Sequence, residues 1–209
     1  MKKLYIVTAH IDDFECSAYG YLFKHHKEYD KIVLVIASKW KFKDNIILQN
    51  LKELPDEIES KIEYINLGYE ARKFNTDFDK MKDDFYKEID WNEDFDILTH
   101  DSNDAHTDHK VLSDISMGLY KYVSKYITMY SPSSVNFGPN YFVSLSDEAY
   151  QYKKKALDKY DIQKEQSYSK KGYYLQSEDH YNIGKSYVLE NCVNANSNYY
   201  EVYKILKWM

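Results

Sequence analysis

The 209 residues carry 28 lysines and arginines against 34 acids, a formal net charge of −6. That balance excludes nucleic acid or an anionic membrane as the main partner, since both select basic surfaces. A hydrophobic share of 44% with 30% charged residues reads as a single globular domain spanning 1–209. Cys16 and Cys192, the two cysteines, are too few for a disulfide framework or a Cys-rich metal knuckle and read as small apolar fillers.

Leu4 to Ala9 reads as a buried strand, and Asp13 to about Lys27 as the helix after it. The basic start, Met1-Lys2-Lys3, is not followed by the apolar run of a signal peptide, because the run stops at Thr8 and meets His10 and two acids. Nowhere does an apolar stretch approach the ~20 residues of a membrane span, so no membrane insertion is expected and a cytoplasmic protein is the default. Lys31 to Ser38 forms a second buried strand. Asn45 to Leu54 reads as a helix stopped near Pro55, and Ile62 to Leu67 as a third strand. Phe78, Met81 and Phe85 mark an amphipathic helix over Thr76 to Ile89, and Asp96 to Thr99 makes a fourth strand. Leu112, Ile115 and Leu119 share one face of a helix from about Asp104 to Tyr122. Ile127 to Tyr130 and Tyr141 to Leu145 are further strands, joined by a Pro/Gly/Ser-rich connection. Ser146 caps a helix through about Tyr160. This alternation predicts an α/β, Rossmann-like fold, with a mostly parallel sheet and helices on both faces.

Two clusters stand out against that background. His10-Ile11-Asp12-Asp13-Phe14-Glu15 follows the first strand and opens a helix. His106-Thr107-Asp108-His109 follows the fourth strand and opens another. Ligand sites in open α/β sheets lie at the carboxyl ends of the strands, so the two clusters converge on one sheet edge. Together they offer two imidazoles and a carboxylate for a divalent metal, with an Asp and a His to spare. Three protein ligands and an open position are how zinc is held when it must activate water.

These two segments resemble the LmbE/PIG-L family of zinc N-deacetylases, which carries a His-Pro-Asp-Asp-x-Glu motif after its first strand and a His-x-Asp-His motif after its fourth. Lys155-Ala156-Leu157 with Tyr160 is similar to the family's helix before its C-terminal segment, and Tyr200-Glu201-Val202-Tyr203 to its closing strand. The segment 146–209 would then complete the fold and shape the substrate pocket. The resemblance implies Zn2+, or another divalent ion, on His10, Asp13 and His109. It makes Asp12 the general base, His106 the group that meets the oxyanion or donates a proton, and Asp108 the partner of His106. It also implies a small-molecule partner, an N-acetylated sugar or its conjugate. The motif departs from the family at Ile11, which stands in place of proline, and at Tyr19-Gly20-Tyr21, where paired small residues are usual.

Glu15 is read in two ways, as a pocket residue or as a helix cap. Arg72, the only arginine, is either a clamp on substrate hydroxyls or phosphate or an ordinary surface charge. His100 ends the fourth strand as a loop histidine or a neighbour of the metal ligands. His25, His26 and His180 read as surface residues. Two further readings stay open: an amidase acting on a larger conjugate, and a metal-binding relative without catalysis. No interface signature decides whether the chain forms a homo-oligomer.

Overall fold

The computed structural model describes residues 1–39, 44–162 and 199–209; Cys192 and His180 lie outside them. Among the described residues, seven strands form one sheet in the order β3-β2-β1-β4-β5-β7-β6. These are β1 (Lys2–Thr8), β2 (Lys31–Lys39), β3 (Ile62–Glu70), β4 (Asp94–His100), β5 (Lys125–Met129), β6 (Tyr141–Ser144) and β7 (Tyr200–Trp208). The first five strands pair in parallel, and β7 is antiparallel to both β5 and β6. The predicted α/β class and mostly parallel sheet are those observed. β7 extends beyond the Tyr200–Tyr203 segment that the resemblance implied.

β1 and β2 read as continuous apolar runs because both faces of the sheet are covered. Leu4, Ile6, Leu34, Ile36 and Leu98 pack with the face that carries α1 (Ile11–Ser17), α2 (Tyr19–His25), α3 (Asp44–Lys52) and α7 (Asp147–Ile162). Their alternates Tyr5, Val7, Val33, Val35 and Ile97 pack with α5 (Phe78–Lys87) and α6 (Thr107–Met117) on the other face. A short helix, α4 (Asp56–Glu59), follows Pro55 and was not expected. Ser146 caps α7 as predicted, its Oγ accepting the Ala149 N–H at 3.1 Å.

The single helix expected over Asp13 to Lys27 is two helices and a 3₁₀ turn (His26–Glu28), with α1 and α2 broken at Ala18. The break leaves helix-end groups without helical partners, and buried side chains from α7 and β7 supply them. Lys153 Nζ donates to the Cys16 carbonyl at 2.6 Å. Glu201 Oε2 accepts the Gly20 N–H at 2.7 Å, and the Tyr203 hydroxyl accepts the Tyr21 N–H at 2.9 Å. Lys153 and Tyr203 both donate to Glu201 through short hydrogen bonds. A Cβ at Gly20 would lie 2.8 Å from Glu201 Oε2, so only glycine admits this approach. Tyr19 and Tyr21, on either side of it, are buried.

His25 and His26 correct the surface reading: they are 5% and 6% exposed. The end of α2 tucks against β6, where His25 bonds the Tyr141 hydroxyl at 2.6 Å and Glu28 at 2.6 Å.

Candidate metal centre

The strand order reverses at β1, with β2 on one side and β4 on the other. A crevice opens at the carboxyl ends of strands at such a switch point. His10 follows β1 and His106 follows the loop after β4, and each is the residue just before a helix. The His10 N–H donates to Asp13 Oδ2 at 2.7 Å, the third helical position reaching back over the helix start. The His106 ring accepts the Asp108 N–H at its Nδ1, 3.2 Å away. Local capping thus fixes both His-x-x-Asp/His spacings, and the sheet brings the two helix starts together.

Three atoms form a nearly equilateral triangle. His10 Nδ1 lies 3.4 Å from Asp13 Oδ2 and 3.3 Å from His109 Nε2, and His109 Nε2 lies 3.3 Å from Asp13 Oδ2. Tetrahedral zinc with bonds of about 2.0–2.1 Å spaces its ligand atoms about 3.3–3.4 Å apart. Two imidazoles and a carboxylate at that spacing fit zinc or a similar divalent ion.

The other nitrogen of each ring is accounted for. His10 Nε2 meets Asp108 Oδ2 at 3.0 Å, and His109 Nδ1 meets Asp104 Oδ2 at 3.0 Å. A carboxylate on the far ring nitrogen fixes the tautomer and leaves the near nitrogen a lone pair to give. Burial pushes the His10 imidazole down, but Asp108 and Asp13 outweigh it and hold it up at about 9. Burial opposes protonation of His109 as well, and Asp13 and Asp104 raise it to about 10. Asp13 is held well below the usual carboxylate range: burial raises it, and the charge on His109 with the His10 contact outweighs that.

His100 belongs to this cluster rather than to a loop surface. It is fully buried, stacks on His109 with ring centroids 3.8 Å apart, and stands 3.4 Å from Asp13 Oδ2. Its Nε2 accepts the Ala9 N–H at 3.0 Å, so that lone pair is engaged. Burial and the neighbouring His109 lower it to about 4. It therefore serves as a neutral wall that pins the end of β1.

Asp108 sits differently from its sequence reading. Its carboxylate bonds His10 and the Arg72 N–H, the latter at 2.7 Å, and only its backbone N–H meets His106. With Nδ1 engaged, a neutral His106 carries its proton on Nε2; burial, His109 and His10 all lower its basicity. Arg72 has φ 68°, a left-handed conformation that costs a non-glycine residue about 1–3 kcal/mol. Its backbone is held against Asp108, and the residue itself is exposed.

Asp12 is buried on the first turn of α1 and supplies none of the three atoms of the triangle. Its charge acts on Glu15, Cys16 and Tyr160. Glu15 neither faces the donor triangle nor caps its helix. It is fully buried between α1, α3 and α7, accepting from Asn50 at 2.7 Å and Tyr160 at 3.0 Å, and burial raises it to about 8. The sequence reading missed Asp104, which took the place of a helix start; α6 begins at Thr107. Its signal was only an acid five residues before His109.

Fold and donor set define an α/β protein with a two-histidine, one-carboxylate centre at the switch point of its sheet. No family model and no curated protein matches the sequence. Among solved structures the fold is similar to that of N,N'-diacetylchitobiose deacetylase from Pyrococcus horikoshii, complexed with its inhibitor MPG. There the TM-score is 0.65 and the identity 14%, over 98% of this chain and 83% of that one. It is also similar to the zinc-inhibited form of teicoplanin deacetylase Orf2 (TM-score 0.62, 11% identity, 97% of each chain). The third is GalB, the 4-carboxy-2-hydroxymuconate hydratase from Pseudomonas putida KT2440 (TM-score 0.57, 16% identity, 99% of this chain and 96% of that one). The chain thus shares the fold of these deacetylases and of the hydratase. At these identities the likeness is one of fold, and fold alone does not choose between a deacetylase and a hydratase.

Proposed function

We propose that the chain is a metal-dependent N-deacetylase of the LmbE/PIG-L type, removing acetyl from an N-acetylamino sugar or its conjugate in the cytoplasm. The observation that carries the reading is the His10–Asp13–His109 triangle, with edges of 3.3–3.4 Å. Zinc is the ion that the donor set suits best. When bound there it supplies Lewis acidity, drawing the pKa of water towards ~7 and polarising a carbonyl.

The chain's own groups carry the protons. Water adds to the acetyl carbonyl carbon, and its proton passes to the Asp12 carboxylate. Negative charge gathers on the carbonyl oxygen, and the His106 Nε2–H meets it. The C–N bond then breaks as the amine nitrogen takes up the proton that Asp12 held, releasing acetate and a free amine. Arg72, at the rim beside Asp108, holds a hydroxyl or phosphate of the sugar. The segment from 146 onwards shapes the pocket within one 1–209 domain.

Deacetylases of the same fold are in keeping with this reaction, and the assay decides between it and hydration. The test is a panel of N-acetylated sugars, free, nucleotide-linked and lipid-linked, together with sugar amides of larger acids, assayed for the acid released. Acetate from at least one class is expected. Release of acids larger than acetate, with none from the acetylated panel, would move the assignment to amidase; no hydrolysis of any amide would overturn it.

A further inference from the structure

The loop after β5 surrounds Asp104, the partner of His109, with serine hydroxyls that have no part in the proposed reaction. Ser131 Oγ donates to Asp104 Oδ2 through a short hydrogen bond, and Ser133 Oγ donates to Asp104 Oδ1 at 2.5 Å. The His106 N–H adds a third donor to Oδ1 at 2.8 Å. His109 Nδ1 is the fourth partner, at 3.0 Å on Oδ2. Asp104 is 6% exposed and Ser131 1%. Burial raises the Asp104 carboxyl, and the His109 and serine contacts outweigh it, holding it below the usual range.

The backbone makes the arrangement rigid. The loops after the adjacent parallel strands β4 and β5 are joined by Ala105 N–H to Ser133 C=O and Val135 N–H to Asn103 C=O, both at 2.8 Å. Ser131 and Ser134 close a tight turn, their bonds 2.9 Å each way. At the base of the two loops Thr128 Oγ1 donates to Asp101 at 2.8 Å.

We propose that Ser131, Ser133 and Asp104 are positioning residues that hold the His109 ring with its Nδ1–H outward and its Nε2 lone pair on the metal. The inference rests on the metal reading above. The chemistry follows from donor counting. Three O–H and N–H groups saturate the other lone pairs of Asp104, so the remaining one accepts only from His109 Nδ1–H. That contact excludes the tautomer protonated at Nε2, which has no lone pair to offer a cation. Ser133 Oγ also lies 3.4 Å from His109 Nδ1, but its proton is committed to Asp104, so it is no nucleophile awaiting a base.

The test measures Zn2+ and Co2+ dissociation constants by chelator competition, the visible spectrum of the Co2+ form, and the melting temperature of the metal-free protein. Asp104→Asn offers an amide where the carboxylate accepted, and its expected loss of affinity is about 10–100-fold, the usual effect of removing such a partner. Ser131→Ala with Ser133→Ala should weaken binding by roughly 10-fold and shift the Co2+ bands. Ser133→Thr keeps the hydroxyl on a partly exposed side chain and should bind as wild type does. Should Asp104→Asn fail to fold, the serine variants decide. Variants that melt lower but keep wild-type affinity and Co2+ spectrum would overturn the inference. Failure of the metal reading looks different: wild type and His109→Ala would then bind either ion equally or not at all.

Discussion

His10 Nδ1 and His109 Nε2 stand 3.3 Å apart although 99 residues separate them in the chain. Each ring turns its other nitrogen to a buried carboxylate, Asp108 for His10 and Asp104 for His109. The pair is aimed at one point, and Asp13 Oδ2 completes the triangle around it.

Replacing His10, Asp13 or His109 by Ala removes one of three donors in each case. Metal content after dialysis against limiting zinc should fall in all three variants. Full occupancy in all of them would mean that the triangle is not the site.

Binding should release protons. Without metal, His10 and His109 titrate near 9 and 10 and are charged at neutral pH, while a ligand imidazole must be neutral. About two protons per ion should therefore leave at pH 7, read as the dependence of binding heat on buffer ionisation enthalpy. Affinity should climb with pH. The fold responds with the opposite sign. Raised histidine pKa values stabilise the metal-free protein below the unfolded value of about 6.5. That stability is lost as pH rises through 9 to 10, so metal-free melting temperatures should fall across this window. A flat profile would contradict the charge arrangement at the site.

Lys153 and Glu201 are 0% and 6% exposed and hold the broken ends of α1 and α2. Removing one member leaves the other charge buried alone. Lys153→Met should cost about 3–5 kcal/mol in chemical denaturation. A cost below about 1 kcal/mol would show that the helix break is held by something else.

The central strands and the two histidine motifs were legible because each depends on local pattern: the apolar runs Leu4–Val7 and Ile32–Ala37, and caps spaced three residues apart. The α1–α2 break was not, since its cause lies on Lys153, Glu201 and Tyr203, far along the chain. Asp104 escaped for a similar reason. Its meaning comes from Ser131 and Ser133, which only the pairing of β4 with β5 brings near. The partner of Asp108 was misjudged because helix capping turned its N–H to His106 and left its carboxylate to His10. Burial of Glu15, His25 and His26 likewise followed from helix packing that no spacing reveals.

Asp12→Asn separates proton transfer from metal binding. The variant should keep its zinc while acetate release falls by roughly 10²–10⁴-fold. His106→Ala should also keep metal and lose rate. If Asp12 served only the helix start, Asn would replace it with little loss; wild-type turnover in Asp12→Asn would remove it from the mechanism.

The central claim, hydrolysis of an N-acetyl amide by a metal held on His10, Asp13 and His109, meets its most direct test in a titration of activity with zinc. Protein stripped by chelator is assayed for acetate on the best substrate of the panel while Zn2+ is added back in steps. The stripped protein should be inactive, and activity should rise linearly to a maximum at about one ion per chain. In His109→Ala no addition should restore it. Full turnover by the stripped protein, or equal restoration in His109→Ala, would contradict the account.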